Sequence, residues 1–273
     1  MRIKSLLILA LLLSGPAFAE ERWDLLPAEP VFGPLIGDPR EARDAIDVQL
    51  DHNHFDGCVG QTIEILQWHP NTGSVWGWGI EGSSHIQLDS IGNATFPERV
   101  SDWGLGTYFS FRSDDFSARL QYLHISSHLG DALFYPPNPP HIIYSRESLR
   151  FILSWEVSET FRLYGGPGFW THITPNSADS RPFGHAGLEL YTYSFPLIAG
   201  TLGRGYFSYD FQIYAEAGVV VDQAFQAGLQ WKWKKDSHQS IRLAALYYTG
   251  NSQYGQFFRS ADSYLGLGIF FDP

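Results

Sequence analysis

From residue 224 to residue 234 the chain alternates without a break. Phe225, Ala227, Leu229, Trp231 and Trp233 occupy the odd positions, and Gln226, Gly228, Gln230, Lys232 and Lys234 the even ones. Side chains that change face at every residue define a strand, and a strand with one apolar and one polar face divides two unlike environments. The pattern recurs at Leu149, Phe151, Leu153, Trp155 and Val157, at Phe207, Phe211, Ile213 and Ala215, and at Trp103, Leu105, Thr107, Phe109 and Phe111. About twelve such segments are predicted, over 43–50, 60–68, 74–82, 102–112, 116–128, 146–157, 160–171, 182–192, 205–217, 223–233, 239–249 and 262–271. No helical period competes with them, so the chain must satisfy its backbone through sheet pairing.

The environment outside that sheet follows from the first residues. Arg2 and Lys4, the apolar run from Leu6 to Leu13 and the Ala17-Phe18-Ala19 site read as a secretory signal over 1–19. The run is too short to span a bilayer, which takes about 20 residues in a helix. Exported chains without a membrane helix are periplasmic, secreted or outer-membrane barrels. A secreted sandwich or lipocalin-like barrel would have to bury all these apolar faces in one core. In a bilayer they face lipid instead, and the sheet must close because no backbone group can be left unpaired there. The predicted fold is therefore all-β, a closed antiparallel up-and-down transmembrane β-barrel of about twelve strands over 43–273, placed in the bacterial outer membrane and preceded by an N-terminal periplasmic segment over 20–42.

Loop lengths agree with a barrel. Odd-to-even connections are mostly long (51–59, 83–101, 129–145, 172–181 and 250–261), and even-to-odd ones mostly tight, as at Ser113-Asp114-Asp115 and Ser158-Glu159. Short turns on the periplasmic side and long loops outside are the usual arrangement. The polar phase then lines the interior: Arg112, Arg119, Gln121, Arg150, Glu156, Arg162, Glu189, Asp210, Gln212, Glu216, Gln226, Gln230, Lys232 and Arg242. Both signs are present, which favours internal ion pairs over a wide pore of one sign. Trp68, Trp103, Trp155, Trp170, Tyr191, Tyr193, Trp233 and Tyr247 are placed in the interfacial girdles. Near the end Leu265, Leu267, Ile269 and Phe271 share one face, as in the terminal strand that barrel-assembly machinery reads, although Asp272 and Pro273 follow.

With Lys+Arg 18 against Asp+Glu 29 the net charge is −11, which excludes binding to nucleic acid through its phosphates. Cys58 is the sole cysteine, so neither a disulfide within the chain nor a cysteine-rich zinc site can form. Gly165-Gly166-Pro167-Gly168 lies in a strand and cannot open a phosphate-cradling helix, and no cofactor is expected. Expected partners are outer-membrane lipid, lipopolysaccharide and the assembly machinery.

Two local clusters carry candidate chemistry. Extending the outward phase of Phe116, Ala118, Leu120 and Tyr122 brings His124, Ser126 and His128 to the long-loop rim, and Glu147 shares that phase on the next strand. Ser, His and a carboxylate are the set for nucleophilic acyl transfer. The His-x-Ser with a following Glu resembles the outer-membrane lipid A deacylases, and that resemblance implies Ser126 as nucleophile, His124 as base and Glu147 as its orienter. Against this stands contact with lipopolysaccharide headgroups. In the first loop Asp51, His52, His54 and Asp56 are candidate ligands for a divalent cation, or solvated chain. The function classes left open are a structural or narrow-pore barrel, a lipid-directed acyl hydrolase, and a binding module built on the loops 129–145 and 250–261.

Several stretches, in order, resemble domain-of-unknown-function family 1207. They are Val31-Phe32-Gly33-Pro34-Leu35 with Asp38-Pro39-Arg40-Glu41, then Tyr122 to Asp131, Tyr144-Ser145-Arg146-Glu147, Gly187-Leu188-Glu189, Tyr247-Tyr248 with Gly250, and Tyr254-Gly255-Gln256-Phe257-Phe258. Ala132 stands where that family's pattern has an acidic residue. The resemblance implies an outer-membrane barrel and brings no established activity.

Overall fold

The computed structural model describes residues 21–90, 96–130, 141–175, 181–197, 200–215, 218–232 and 239–272. All twelve alternating segments form strands: β2 (Asp44–Gln49), β3 (His54–His69), β4 (Val75–Asp89), β5 (Glu98–Ser113), β6 (Phe116–Leu129), β7 (Tyr144–Ser158), β8 (Phe161–Thr174), β9 (Pro182–Tyr191), β11 (Leu202–Ala215), β12 (Val219–Lys232), β13 (Ser240–Asn251) and β14 (Ala261–Asp272). Each pairs antiparallel with its neighbours, β14 returns to β2, and β3 pairs with β4, so the ring closes. Two short strands were not expected: β1 (Arg22–Leu25) lies against the turn-side end of β3, and β10 (Phe195–Pro196) against β11. The signal over 1–19, Glu216, Trp233 and the stretch 131–140 of one long loop lie outside the described residues.

The two faces of the sheet are inverted relative to a soluble protein. Leu105 is 69% exposed, Leu267 49% and Phe151 41%, whereas Arg242 and Glu189 are 0% exposed. Burying charge costs several kcal/mol per ion unless it is paired, so this arrangement holds only because the interior supplies partners. The arginines named from the polar phase find them: Arg162 meets Glu189 at 3.3 Å, Arg112 meets Glu156 at 2.9 Å, and Arg242 meets Asp272 at 2.6 Å.

The remaining partners come from the chain ahead of the barrel. Of the segment 20–42 expected to be periplasmic, residues from Val31 onward run inside the ring, and Val31, Phe32, Leu35, Ile36, Asp38 and Glu41 are all buried. A tight turn shapes this plug. Asp38 accepts the Arg40 amide at 2.9 Å through its side chain, Pro39 sits where its fixed φ suits the turn, and the Asp38 amide bonds to the Leu35 carbonyl at 3.2 Å. Arg43 folds back beneath it and donates to the carbonyls of Leu35 (2.7 Å), Ile36 (3.1 Å) and Asp38 (3.1 Å).

Three further placements differ from expectation. The connection expected over 51–59 is only 50–53, because β3 begins at His54 and pairs Asp56 with Asp47 of β2. Trp170 lines the inner cavity of the outer half, and Tyr191 packs on the interior cluster around Ile36 and Tyr206, so neither belongs to an outer girdle. Between Glu147 and Ser148 the pairing with β8 slips by one residue. Trp170 thus lies opposite Ser148 and His172 opposite Glu147, with Thr171 as the extra residue of a bulge.

Candidate functional site

The plug is bonded to the inner wall on every side. The Val31 amide donates to Glu64 of β3, Arg112 of β5 donates to the Val31 carbonyl, and Arg162 of β8 donates to the carbonyls of Gly33 and Pro34. The Ile36 amide donates to Glu189 of β9 at 3.0 Å. Side chains add ion pairs: Asp38 with Arg150 of β7 at 3.0 Å, Glu41 with both terminal nitrogens of Arg119 of β6 at 2.7 and 2.8 Å, Arg40 with Asp102 of β5 at 2.9 Å, and Arg43 with Asp272 of β14 at 3.6 Å.

Charge and burial compete at these groups. Burial alone would raise the Asp38 and Glu41 carboxyls, but Arg150 at Asp38 and Arg119 at Glu41 hold both below the ordinary carboxylate range. The wall behind Asp38 is also bonded. Arg150 can only donate, so His185 accepts at Nδ1 (3.0 Å); its proton is therefore on Nε2, which donates to Asp210 at 2.6 Å, and the Tyr164 hydroxyl donates to the same carboxylate oxygen at 2.6 Å.

From the opposite rim a loop folds into the barrel. A short 3-10 turn at Gly255–Phe257 brings the Gly255 amide to Asp102 at 3.1 Å and the Gln256 amide to the Ser127 hydroxyl at 3.0 Å. Ser127 in turn donates to Asp102. A Cβ on residue 255 would collide with the Tyr144 ring and with Ser127, so only glycine admits this approach. Tyr254 donates to Asp56 at 2.6 Å, and burial together with that carboxylate pushes its hydroxyl well up. Asp102 thus joins plug to loop, holding Arg40 on one side and Gly255 and Ser127 on the other. The loop 250–261, expected as a surface binding element, presents Tyr254, Gly255, Gln256 and Phe258 inward.

On the outer surface the structure brings two of the three candidate acyl-transfer residues together. His124 lies directly across from Glu147, with Nδ1 3.5 Å from Oε1, and both are partly exposed. Glu147 also accepts a 2.8 Å bond from the hydroxyl of Tyr122, a residue whose strand phase points to lipid. His172 is a further neighbour of Glu147, placed there by the bulge, which the spacing of the sequence does not reveal. Ser126 pairs across with Ser145, and its hydroxyl makes no hydrogen bond among the described residues. The nucleophile-to-base contact that the chemistry needs is not formed.

The four candidate metal ligands do not converge. Asp51 accepts the Leu265 amide at 3.2 Å, His52 lies 3.2 Å from Gln49, His54 meets Asp89 at 3.0 Å, and Asp56 faces inward toward Tyr254, Gln49 and Gln87. Among the described residues no group of three or more His, Cys, Asp or Glu side chains is placed to hold a metal ion.

A twelve-stranded antiparallel barrel, apolar outside, charged inside and filled by its own N-terminal segment and an inward loop, is a β-barrel of the outer-membrane type. The chain belongs to the family described as "Protein of unknown function (DUF1207)", whose profile matches residues 21–272. No curated protein matches it. Among solved structures, the crystal structure of the β-domain of the Bordetella autotransporter BrkA is similar to 85% of this chain over 98% of its own, at a TM-score of 0.47 and 12% identity.

Proposed function

We propose that this protein is a sealed barrel of the bacterial outer membrane, with a structural role there and no diffusive pore. The observation that carries the reading is the plug, bonded to inward residues of β3, β5, β6, β7, β8, β9, β13 and β14 and latched through Asp102 to the loop from the other rim. Lipid and lipopolysaccharide surround the apolar outer faces, and the barrel-assembly machinery inserts the chain after removal of 1–19. Purified protein in planar bilayers should show no porin-sized conductance. Large, stable steps from the wild type would overturn the reading.

A second reading, acyl hydrolysis at the outer rim, has the His124–Glu147 pair in its favour. It requires Ser126 to reach His124 on substrate binding. Release of fatty acid from lipopolysaccharide that is lost in Ser126→Ala would establish it.

A further inference from the structure

The turn-side mouth of the barrel is lined by charges of both signs, and its cations outnumber its carboxylates. It is a cavity of about 460 Å³ between the ends of β5, β7, β8, β9, β11 and β12. Three carboxylates line it: Glu156 takes Arg112, Glu189 takes Arg162 and the Tyr191 hydroxyl, and Glu159 stands exposed in the turn after β7. On the wall formed by β11 and β12 stand Arg204 and Lys232. The register pairs Arg204 with Gln230 and Leu202 with Lys232, so the two cations share the inward face as diagonal neighbours on adjacent strands.

Neither cation forms an ion pair among the described residues. Arg204 is nevertheless fixed in place. Its guanidinium lies 3.5 Å over the centre of the Tyr191 ring, and its Nε donates to Gln230 at 2.6 Å. Gln230 is itself held by donating to Ser240 at 2.8 Å. The two terminal nitrogens of Arg204 make no hydrogen bond among the described residues, and neither does the ammonium of Lys232. Two like charges side by side in a half-buried site repel each other, and each loses part of its hydration. A ligand that brings negative charge relieves both costs at once.

We propose that this mouth is a binding site for a phosphate group entering from the turn side. A guanidinium with two free parallel donors fits two phosphate oxygens, and an ammonium beside it serves as a point charge for a third. The volume leaves room for a small organic group esterified to the phosphate. The site stands on the fold alone and does not depend on whether the barrel conducts.

The test is titration of the full-length protein in uncharged detergent, first with inorganic phosphate and then with micelles doped with phosphatidylglycerol. Saturable phosphate binding is expected, weakened about tenfold or more by Arg204→Gln and by Lys232→Gln, the loss expected for a charge-assisted hydrogen bond. Arg22→Gln, an exposed arginine paired with Asp24 on the same rim, should leave it unchanged. Lys232 is the last residue of β12, its substitution leaves the backbone ladder in place, and heat-modifiable gel migration checks that the barrel stays folded. Binding of the doped micelles alone, lost in the same two variants, would assign the phosphate to a lipid headgroup and uphold the site. No saturable binding of either probe, or binding indifferent to both substitutions, overturns it.

Discussion

Glu41→Ala tests the plug at its strongest anchor. Glu41 and Arg119 are each 3% exposed, and the carboxylate takes both terminal nitrogens of the guanidinium at 2.7 and 2.8 Å. Removing the carboxylate strands the guanidinium in the wall of β6, with Glu81 of β4 as the nearest remaining compensation. Breaking a buried pair by deleting one partner costs about 3 to 5 kcal/mol, most of it the penalty of the orphaned charge. Set against a total stability of about 5 to 15 kcal/mol, that is a large fraction. The plug can respond by leaving the lumen, because local opening costs less than unfolding twelve strands. Denaturant titration in lipid vesicles should therefore show the loss, and planar bilayers should show new conductance. The double variant Glu41→Ala with Arg119→Met removes the orphan and should recover most of the loss. A single-variant cost below about 1 kcal/mol, or a double variant no more stable than the single, would refute the reasoning.

Three more outcomes are expected. Leu267→Arg, at an outward position in the middle of β14, should cost about 2 to 4 kcal/mol in vesicle refolding, while Asn71→Arg in an exposed turn should cost close to nothing. The plug carboxyls Asp38 and Glu41 are depressed in the folded state, so the stability they confer is present above their ordinary values of 3.8 and 4.5 and is lost as pH falls through their lower folded values. Conductance should accordingly stay silent from pH 7 down to the carboxylate range and rise only in stronger acid; opening near pH 6 would contradict this assignment. Wild-type protein in membranes containing lipopolysaccharide should release no fatty acid, and Ser126→Ala should change neither that nor folding, which mass spectrometry of the lipid checks.

The barrel was legible because lipid imposes a strict two-residue period, and chains such as Phe225 to Trp233 obey it. Strand ends were less so. β3 and β4 run past their expected limits because their outer halves, including His54, Asp56, His85 and Gln87, are polar on the lumen side and lack a strong apolar partner phase. Trp170 and Tyr191 were placed by residue type, yet each shares the parity of its inward neighbours, Arg162 with Tyr164 and Glu189, and parity decided the matter. The bulge that turns His172 outward leaves no mark in the sequence, since one extra residue looks like any other. Of the candidate outer site, the His124–Glu147 pairing followed from phase, but the missing Ser126 contact depends on side-chain direction within the strand. The plug was hidden for a different reason. It has no period, and its signal is only the dense mixture of Phe32, Leu35 and Ile36 with Asp38, Arg40, Glu41 and Arg43, which a segment free in water would not need.

That mixture is what fixes the orientation of the plug. Its acids meet wall arginines on β6 and β7, and its arginines meet wall acids on β5 and β14, so each end of the turn is matched to one arc of the ring. Rotating the plug within the barrel would set Asp38 and Glu41 against Asp102 or Asp272 and leave Arg119 and Arg150 bare, which buried charge does not tolerate. Three of the stretches that carry the family resemblance, Val31 to Leu35, Asp38 to Glu41 and Tyr254 to Phe258, fill the lumen from its two ends, and the others lie chiefly on β6, β7, β9 and β13. The filling therefore belongs to the fold as much as the strands do. Among the described residues, charge matching of this kind runs from Asp102 through the plug to Arg162, whereas Arg204 and Lys232 at the turn-side mouth form no ion pair, which is why the proposed phosphate is placed there.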